Sequence, residues 1–439
     1  MPCVASRPVV KVAPHPENGM NHTLFPHFFA FLLTGGLLAF PGACLDLILR
    51  DFSWSQGLFG TAMMLQGAAS FMGSRFASKR SGGEAYRKWV VISLLFLAVG
   101  VVLYYFADWT ILPLATALGV SEEALPLLRL LGIIVIGFGI GCNGILNNTA
   151  ALVSSNPSFA LNLLNMGFTA GAVVLPLFAS QYLQLSGVTQ GNLAWRLPPV
   201  VLVGAYAILS LHVLRSPHLS RPSQVQPHEL NSQRWRFPLP VWAVCLVLFC
   251  YVGSEINLSN SLGLMSETMF GFSTNDSRVA SSIFWGGLLA ARLYFCFRSP
   301  PAYLYPKIMT ALSGLCVLLF GSLLLRFFQG FGAALLLSRL CMLLLGLSIG
   351  GMYSLALGSL TVFFDSNHAR HFANITVLSG VAGAVILPFS FGQISNAAGL
   401  NSATLFLLIL LGGMCLGAAL LFYASRHFAQ RHAHPLAGQ

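Results

Sequence analysis

FALNLLNMGFTAGAVVLP (Phe159–Pro176) has a near copy in the same chain, FANITVLSGVAGAVILP (Phe372–Pro388). Both stretches begin with Phe-Ala and end with Gly-Ala-Val-x-Leu-Pro. GFGIG (Gly137–Gly141) lies upstream of the first, and GLSIG (Gly346–Gly350) lies at nearly the same distance upstream of the second. Small residues also recur in unrelated membrane helices, because they let backbones pack closely. The matching order of matching motifs nevertheless favours an internal repeat.

The composition is that of a membrane protein. Of the 439 residues, 56% are hydrophobic and 8% are charged, whereas about a quarter of a soluble domain is charged. A helix needs about 20 apolar residues to cross the ~30 Å hydrocarbon core. Such segments predict twelve spans, at about 24–49, 54–74, 89–108, 127–152, 158–183, 196–214, 239–265, 279–298, 303–326, 332–363, 372–397 and 402–424.

The basic residues predict the orientation. If both termini are cytoplasmic, most Lys and Arg lie on the inner side, and the exceptions at outer helix ends are Arg50, Arg129, Arg196, Arg278, Arg326 and Arg339. This is the positive-inside bias. We therefore expect a multi-pass protein of the plasma (bacterial inner) membrane, and we interpret the net charge of +11 as topology. Nucleic-acid binding would need a basic solvated domain, and the sequence leaves no room for one.

The longest polar segment inside the chain separates six predicted spans from six. The resulting division is a cytoplasmic tail at 1–21, a six-helix bundle at 22–214, a linker at 215–238, a second bundle at 239–425 and a cytoplasmic tail at 426–439. A parallel repeat of two six-helix halves is the all-α arrangement of major facilitator transporters, whose solute site lies at the midplane between the halves.

One acidic residue lies deep in an apolar segment. Glu255 falls in the middle of Val241–Met265, where a charge costs roughly 2.5–3.5 kcal/mol on insertion scales and usually faces a cavity. We predict that it binds a coupling proton or sodium ion. Asn257 and Asn260 follow on overlapping helix faces, and we predict that they bind a small-molecule solute.

Four further side chains are candidates for the same site. Asn143, Asn165 and Gln66 are amides inside predicted spans, where an unpaired amide costs on the order of 2–7 kcal/mol. They either bind the solute or hydrogen-bond to neighbouring helices. Trp285 either stacks on a sugar ring or lies in the core. Arg292 is predicted to lie beside the loop between spans eight and nine, with topological and gating contacts.

Other chemistries have no motif in the sequence. There is no G-x-x-x-x-G-K-[ST] phosphate loop, no Ser/His/Asp catalytic set and no cluster of metal ligands. We therefore expect no enzymatic activity, no cofactor and no metal. The sequence indicates no oligomeric interface, and we expect a monomer in contact with membrane lipid.

Several motifs resemble one transporter family. YVGSE (Tyr251–Glu255) and FWGGLLAARL (Phe284–Leu293), together with the repeated stretches quoted first, are similar to the fucose/glucose–galactose proton symporters. The resemblance implies a sugar or polyol solute, alternating access, and coupling to protons or sodium. Members of that family carry acids in spans one and four, where this chain has Ala39 and Asn143 or Gly144.

Two alternatives remain open at this stage. The protein can be an exporter of an amphipathic metabolite, siderophore or drug, or a non-transporting receptor or assembly factor on the same fold. An open polar cavity between the halves would favour a transporter, and a cavity filled with side chains would favour a receptor.

Overall fold

The computed structural model describes residues 20–80, 85–110, 124–152, 157–186, 193–216, 237–298, 300–327, 333–364 and 366–433. Within these ranges every regular element is a helix. The first predicted tail and most of the predicted linker lie outside the described residues.

The described residues of the first half of the chain form seven α-helices. They are α1 Met20–Ala39, α2 Pro41–Asp51, α3 Gln56–Ser78, α4 Ala85–Thr110, α5 Leu125–Leu152, α6 Pro157–Leu185 and α7 Leu197–Arg215. Helices α1 and α2 meet at a bend of 49° and form one broken span. The bend falls at Pro41, whose ring lacks an N–H and cannot continue the hydrogen bonding of α1.

Seven more helices form the second half. They are α8 Leu239–Thr268, α9 Thr274–Arg278, α10 Ala280–Phe297, α11 Tyr305–Leu324, α12 Ala334–Ile349, α13 Met352–Phe363 and α14 Ser366–Ala433. Helices α9 and α10 make up one span, and so do α12 and α13.

Helix α14 contains two spans joined at Gly399. Its apolar stretch of 53 residues would be about 80 Å long as one straight helix, far more than the ~30 Å hydrocarbon core. At Gly399 the backbone is non-helical, with φ 82°. Ser379 Oγ donates to the carbonyl of Cys245 at 3.0 Å, and Gly417 packs against the neighbouring Val247. Both parts of α14 therefore pack side by side on α8.

The helices account for all twelve predicted spans. Among the described residues, nine helical stretches are long and apolar enough to cross a membrane, and the bent pair of α1 and α2 makes ten. The break in α14 adds the eleventh. Helix α3, with 23 residues, is the twelfth, and it is more polar than the others.

The internal repeat is visible in the helix contacts. Gly137 and Gly141 of α5 pack against the backbone of α3, and Gly346 and Gly350 of α12 pack in the same way against α10. Likewise Gly171 of α6 packs on the carbonyl of Leu32 in α1, and Gly383 of α14 packs on the carbonyl of Phe249 in α8. The repeated glycines thus join equivalent helix pairs in the two halves.

The halves meet tightly at the end of the bundle that contains α2. Gly42 lies against the backbone of Ser259, and Gly60 lies against Gly392. Gln393 Nε2 donates to the carbonyl of Gly57 at 3.1 Å. These contacts join the first half to the second and close the space between them at that end, which is the outer end in the predicted orientation.

Arginines at this outer end are neutralised by carboxylates. Five of the six predicted exceptions to the positive-inside bias form ion pairs: Arg50 with Asp51, Arg129 and Arg196 with Asp108, Arg278 with Asp46, and Arg339 with Asp276. The exceptions are therefore structural ion pairs, which do not oppose the predicted topology.

Candidate solute-binding site

A cavity of about 390 Å³ lies between the two halves. The first half contributes mostly apolar side chains, among them Phe31, Met63 and Phe168. The second half contributes the charged ones, Glu255 of α8 and Arg292 of α10. The cavity lies next to the closed end, and it is large enough for a small organic molecule.

Glu255 faces this cavity, as the sequence predicts, and it pairs with Arg292. Arg292 Nη2 lies 3.2 Å from Glu255 Oε1 and donates to the hydroxyl of Tyr251 at 3.3 Å. Arg292 Nη1 donates to Thr169 Oγ1 in α6 at 2.6 Å. Because α6 belongs to the first half and the other groups to the second, Arg292 bridges the halves.

Arg292 falls within predicted span eight, with contacts expected at the adjoining loop, and the structure places its side chain at the central cavity. Helix α10 continues to Phe297, so Arg292 lies inside the span with its side chain at the cavity. The signal is present in the sequence: Arg292 follows Trp285 by seven residues, about two helical turns, and therefore shares its face. Its bridge to Thr169 does agree with a gating contact.

Four of the predicted solute ligands line the cavity: Gln66, Asn165, Asn260 and Trp285. Trp285 Nε1 donates to Ser259 Oγ at 2.9 Å, and its ring lies 6.1 Å from that of Phe168. Asn260 Nδ2 contacts Met63 Sδ at 3.7 Å, while its Oδ1 is buried without a partner among the described residues.

Asn143 does not reach the cavity, contrary to the prediction. Its side chain is 1% exposed; Nδ2 donates to Thr34 Oγ1 at 3.0 Å, and Oδ1 accepts from Asn147 Nδ2 at 2.7 Å. Asn147 Oδ1 in turn lies 2.6 Å from His27 Nδ1. These amides join α1 to α5 inside the first half, which is the packing alternative.

The side chain of Asn257 does not line the central cavity either. Two residues after Glu255, it lies about 200° further around the helix, almost on the opposite face. Its Nδ2 donates to the carbonyl of Gly253 at 2.9 Å, and it borders a separate void of about 20 Å³ between the halves. Its predicted role as a cavity ligand is not supported.

A second chamber adjoins the central cavity. It has a volume of about 400 Å³ and extends to Pro300 and Tyr305, at the connection between α10 and α11. Asn165, Arg292 and Tyr353 line both spaces. The end of the bundle that contains α2 is closed. We therefore infer that the central cavity connects to the surface through this second chamber.

Comparison with known proteins identifies the fold. No protein-family model matches the chain, and no curated protein matches it in sequence. Solved structures that are similar include a D-xylose–proton symporter, with TM-score 0.68 at 13% identity over 91% of this chain and 96% of that one. A nucleoside transporter matches with TM-score 0.63 at 16% identity over 92% and 98%.

The fucose:proton symporter of E. coli is also similar, with TM-score 0.54 at 18% identity over 91% of this chain and 99% of that one. Each likeness spans nearly the whole of both chains. The protein therefore has the twelve-helix major facilitator fold predicted from the internal repeat, and it is a multi-pass integral membrane protein.

Proposed function

We propose that the protein is a secondary active transporter that moves a small polar, sugar-like solute across a membrane by alternating access. The observation that carries this proposal is the central cavity, which lies between two repeated halves and holds Glu255 and Arg292. Halves that are in close backbone contact at the end that contains α2 are suited to rocking about such a site. An open cavity also favours a transporter over a receptor or assembly factor.

Glu255 is the proposed coupling residue, which binds a proton or a sodium ion. It is the one carboxylate among the described residues that line the cavity. An intramembrane acid at a cavity is typical of proton pathways. Symporters of D-xylose and fucose with protons share the fold, which supports ion coupling here.

Hydroxyl groups of the solute would bind Gln66, Asn165 and Asn260. The unpartnered Oδ1 of Asn260 is a free acceptor, and a buried acceptor without a partner costs about 1–3 kcal/mol. Because Oδ1 is buried, the Asn260 side chain would have to turn toward the cavity for a solute hydroxyl to satisfy it. Trp285 is held by its bond to Ser259 and is buried in the core of the second half, so little of its ring is available to a sugar.

A second candidate is export of an amphipathic metabolite, siderophore or drug. The lining of the first half favours it, since Phe31, Met63 and Phe168 offer apolar surface. In either case we propose a monomer in the plasma (bacterial inner) membrane, with both termini in the cytoplasm.

Uptake into vesicles tests the proposal. Purified protein is reconstituted, and uptake of labelled neutral sugars, sugar acids and amphipathic acids is measured with and without a pH gradient. We expect at least one solute to accumulate against its gradient when protons flow inward. Asp276→Asn, which alters an arginine pair outside the cavity, is the matched control and should transport like the parent. Vesicles whose uptake equals that of protein-free vesicles for every solute would contradict the proposal.

A further inference from the structure

The charges at the cavity are balanced one to one. Among the described residues that line it, Glu255 is the acid and Arg292 the base. The other titratable groups facing Glu255 are Tyr251 on its own helix and Tyr353 of α13, and both are neutral phenols near neutral pH. Helix α6 adds Thr169, which carries no charge. The empty cavity is therefore electrically neutral.

The contact between the two charges is loose. A carboxylate can accept two parallel bonds from one guanidinium, but Glu255 accepts only one from Arg292, at 3.2 Å. Nη2 of Arg292 divides its bonding between Glu255 and Tyr251. The side chains of Arg292 and Glu255 remain 21% and 12% exposed, at the cavity. A solute can therefore reach the arginine, and a better acceptor can replace Glu255.

Charge balance restricts which solute can replace Glu255 as the partner of Arg292. An uncompensated charge in a low-dielectric site is unfavourable. A neutral solute leaves the pair intact and binds no proton. A cationic solute on Glu255 would leave Arg292 without a counter-ion. An anionic solute on Arg292 would leave Glu255 uncompensated, unless Glu255 takes up one proton.

We propose that the solute carries a carboxylate, and that this group binds Arg292 while Glu255 takes up one proton. One anion and one proton then cross together, and no net charge moves. The inference rests on the proposed function, because it specifies the solute of the same cavity. With hydroxyl groups bound by Gln66 and Asn260 the solute is a sugar acid, and with an apolar body against Phe168 it is a hydrophobic organic acid.

Thermal stabilisation of the purified protein tests this without a transport assay. A ligand that binds only the folded state raises the stability by RT ln(1 + [L]/Kd). The probes are acetate, glucuronate and phenylacetate, with glucose and 2-phenylethanol as the neutral counterparts. We expect at least one acid to stabilise the parent, and its apparent Kd to rise by up to about tenfold per pH unit between pH 5.5 and 8, as linkage to one proton requires.

Two variants sharpen the test. In Glu255→Gln residue 255 is always neutral, so the same acid should bind with an affinity that does not change over this pH range. Arg292→Gln should lose the stabilisation. Asp276→Asn, which frees an arginine outside the cavity, should behave like the parent. If a variant does not fold, the pH dependence of acid binding to the parent still tests the inference.

Three results would overturn the inference. They are no stabilisation of parent or Glu255→Gln by any of the three acids, acid binding to the parent that does not change with pH, and a neutral counterpart that binds as tightly as its acid. Failure here with uptake of a neutral sugar intact would contradict the inference and leave the transporter proposal standing. Acid binding to a protein that transports no solute would support the inference and contradict the transporter proposal.

Discussion

Arg196 and Arg292 each pair with a carboxylate inside the helix bundle, but the two pairs differ in geometry and surroundings. Arg196 Nη1 lies 2.7 Å from both oxygens of Asp108, its side chain is 2% exposed, and its guanidinium lies 5.4 Å from the ring of Phe52. Arg292 reaches Glu255 by one contact of 3.2 Å at the edge of a cavity.

This difference separates a structural pair from the pair that we propose to be functional. Asp108 and Arg196 lie at the ends of two segments, α4 and the turn before α7, and Arg129 of α5 joins them at 3.5 Å. They hold helices together, and they do not line the central cavity or its adjoining chamber. Glu255 and Arg292 line a cavity between the halves, and in the proposed mechanism a solute exchanges for one partner of this bond.

The largest effect should follow from breaking the structural pair. Asp108→Ala leaves Arg196 buried without its counter-ion, and removing one partner of a buried pair costs about 3–5 kcal/mol. We expect the free energy of unfolding in detergent to fall by this amount. Arg50→Gln, at a pair with an exposed arginine, is the control and should cost about 1 kcal/mol or less. Equal losses in the two variants would remove the distinction.

A smaller loss of stability should follow from a change in the amide network that joins α1 to α5. Asn147→Leu removes a partner from His27 and from Asn143, and an orphaned buried polar group costs about 1–3 kcal/mol. We expect unfolding to become easier by about that amount. Solute affinity should not change, because these residues lie outside the cavity. A weaker solute affinity with normal stability would return Asn143 to the binding site.

The repeat made most of the fold predictable. Matching glycines in GFGIG and GLSIG, and in the two Gly-Ala-Val motifs, specify close contacts between equivalent helix pairs, and those contacts are present. Glu255 was identifiable because an acid in an apolar segment has few alternatives to a cavity.

The rest of the site depends on tertiary partners that a sequence does not display. Asn143 and Asn260 are both amides in apolar helices, but a partner from α1 satisfies Asn143, whereas Asn260 Oδ1 has no partner among the residues that the structure describes. Arg292 lies inside predicted span eight, but the sequence does not show that Glu255 and Thr169 are its partners.

The smallest effect on stability, and the most direct test, comes from Glu255→Gln. The glutamine side chain keeps an oxygen that can accept a hydrogen bond from Arg292, and the pair is partly exposed at the cavity, so we expect the free energy of unfolding to fall by less than in Asp108→Ala. The decisive measurement compares two transport modes of this variant in vesicles: exchange of labelled for unlabelled solute without a gradient, and accumulation driven by a pH gradient. We predict that exchange persists while accumulation is lost. Accumulation equal to that of the parent would contradict a coupling role for Glu255.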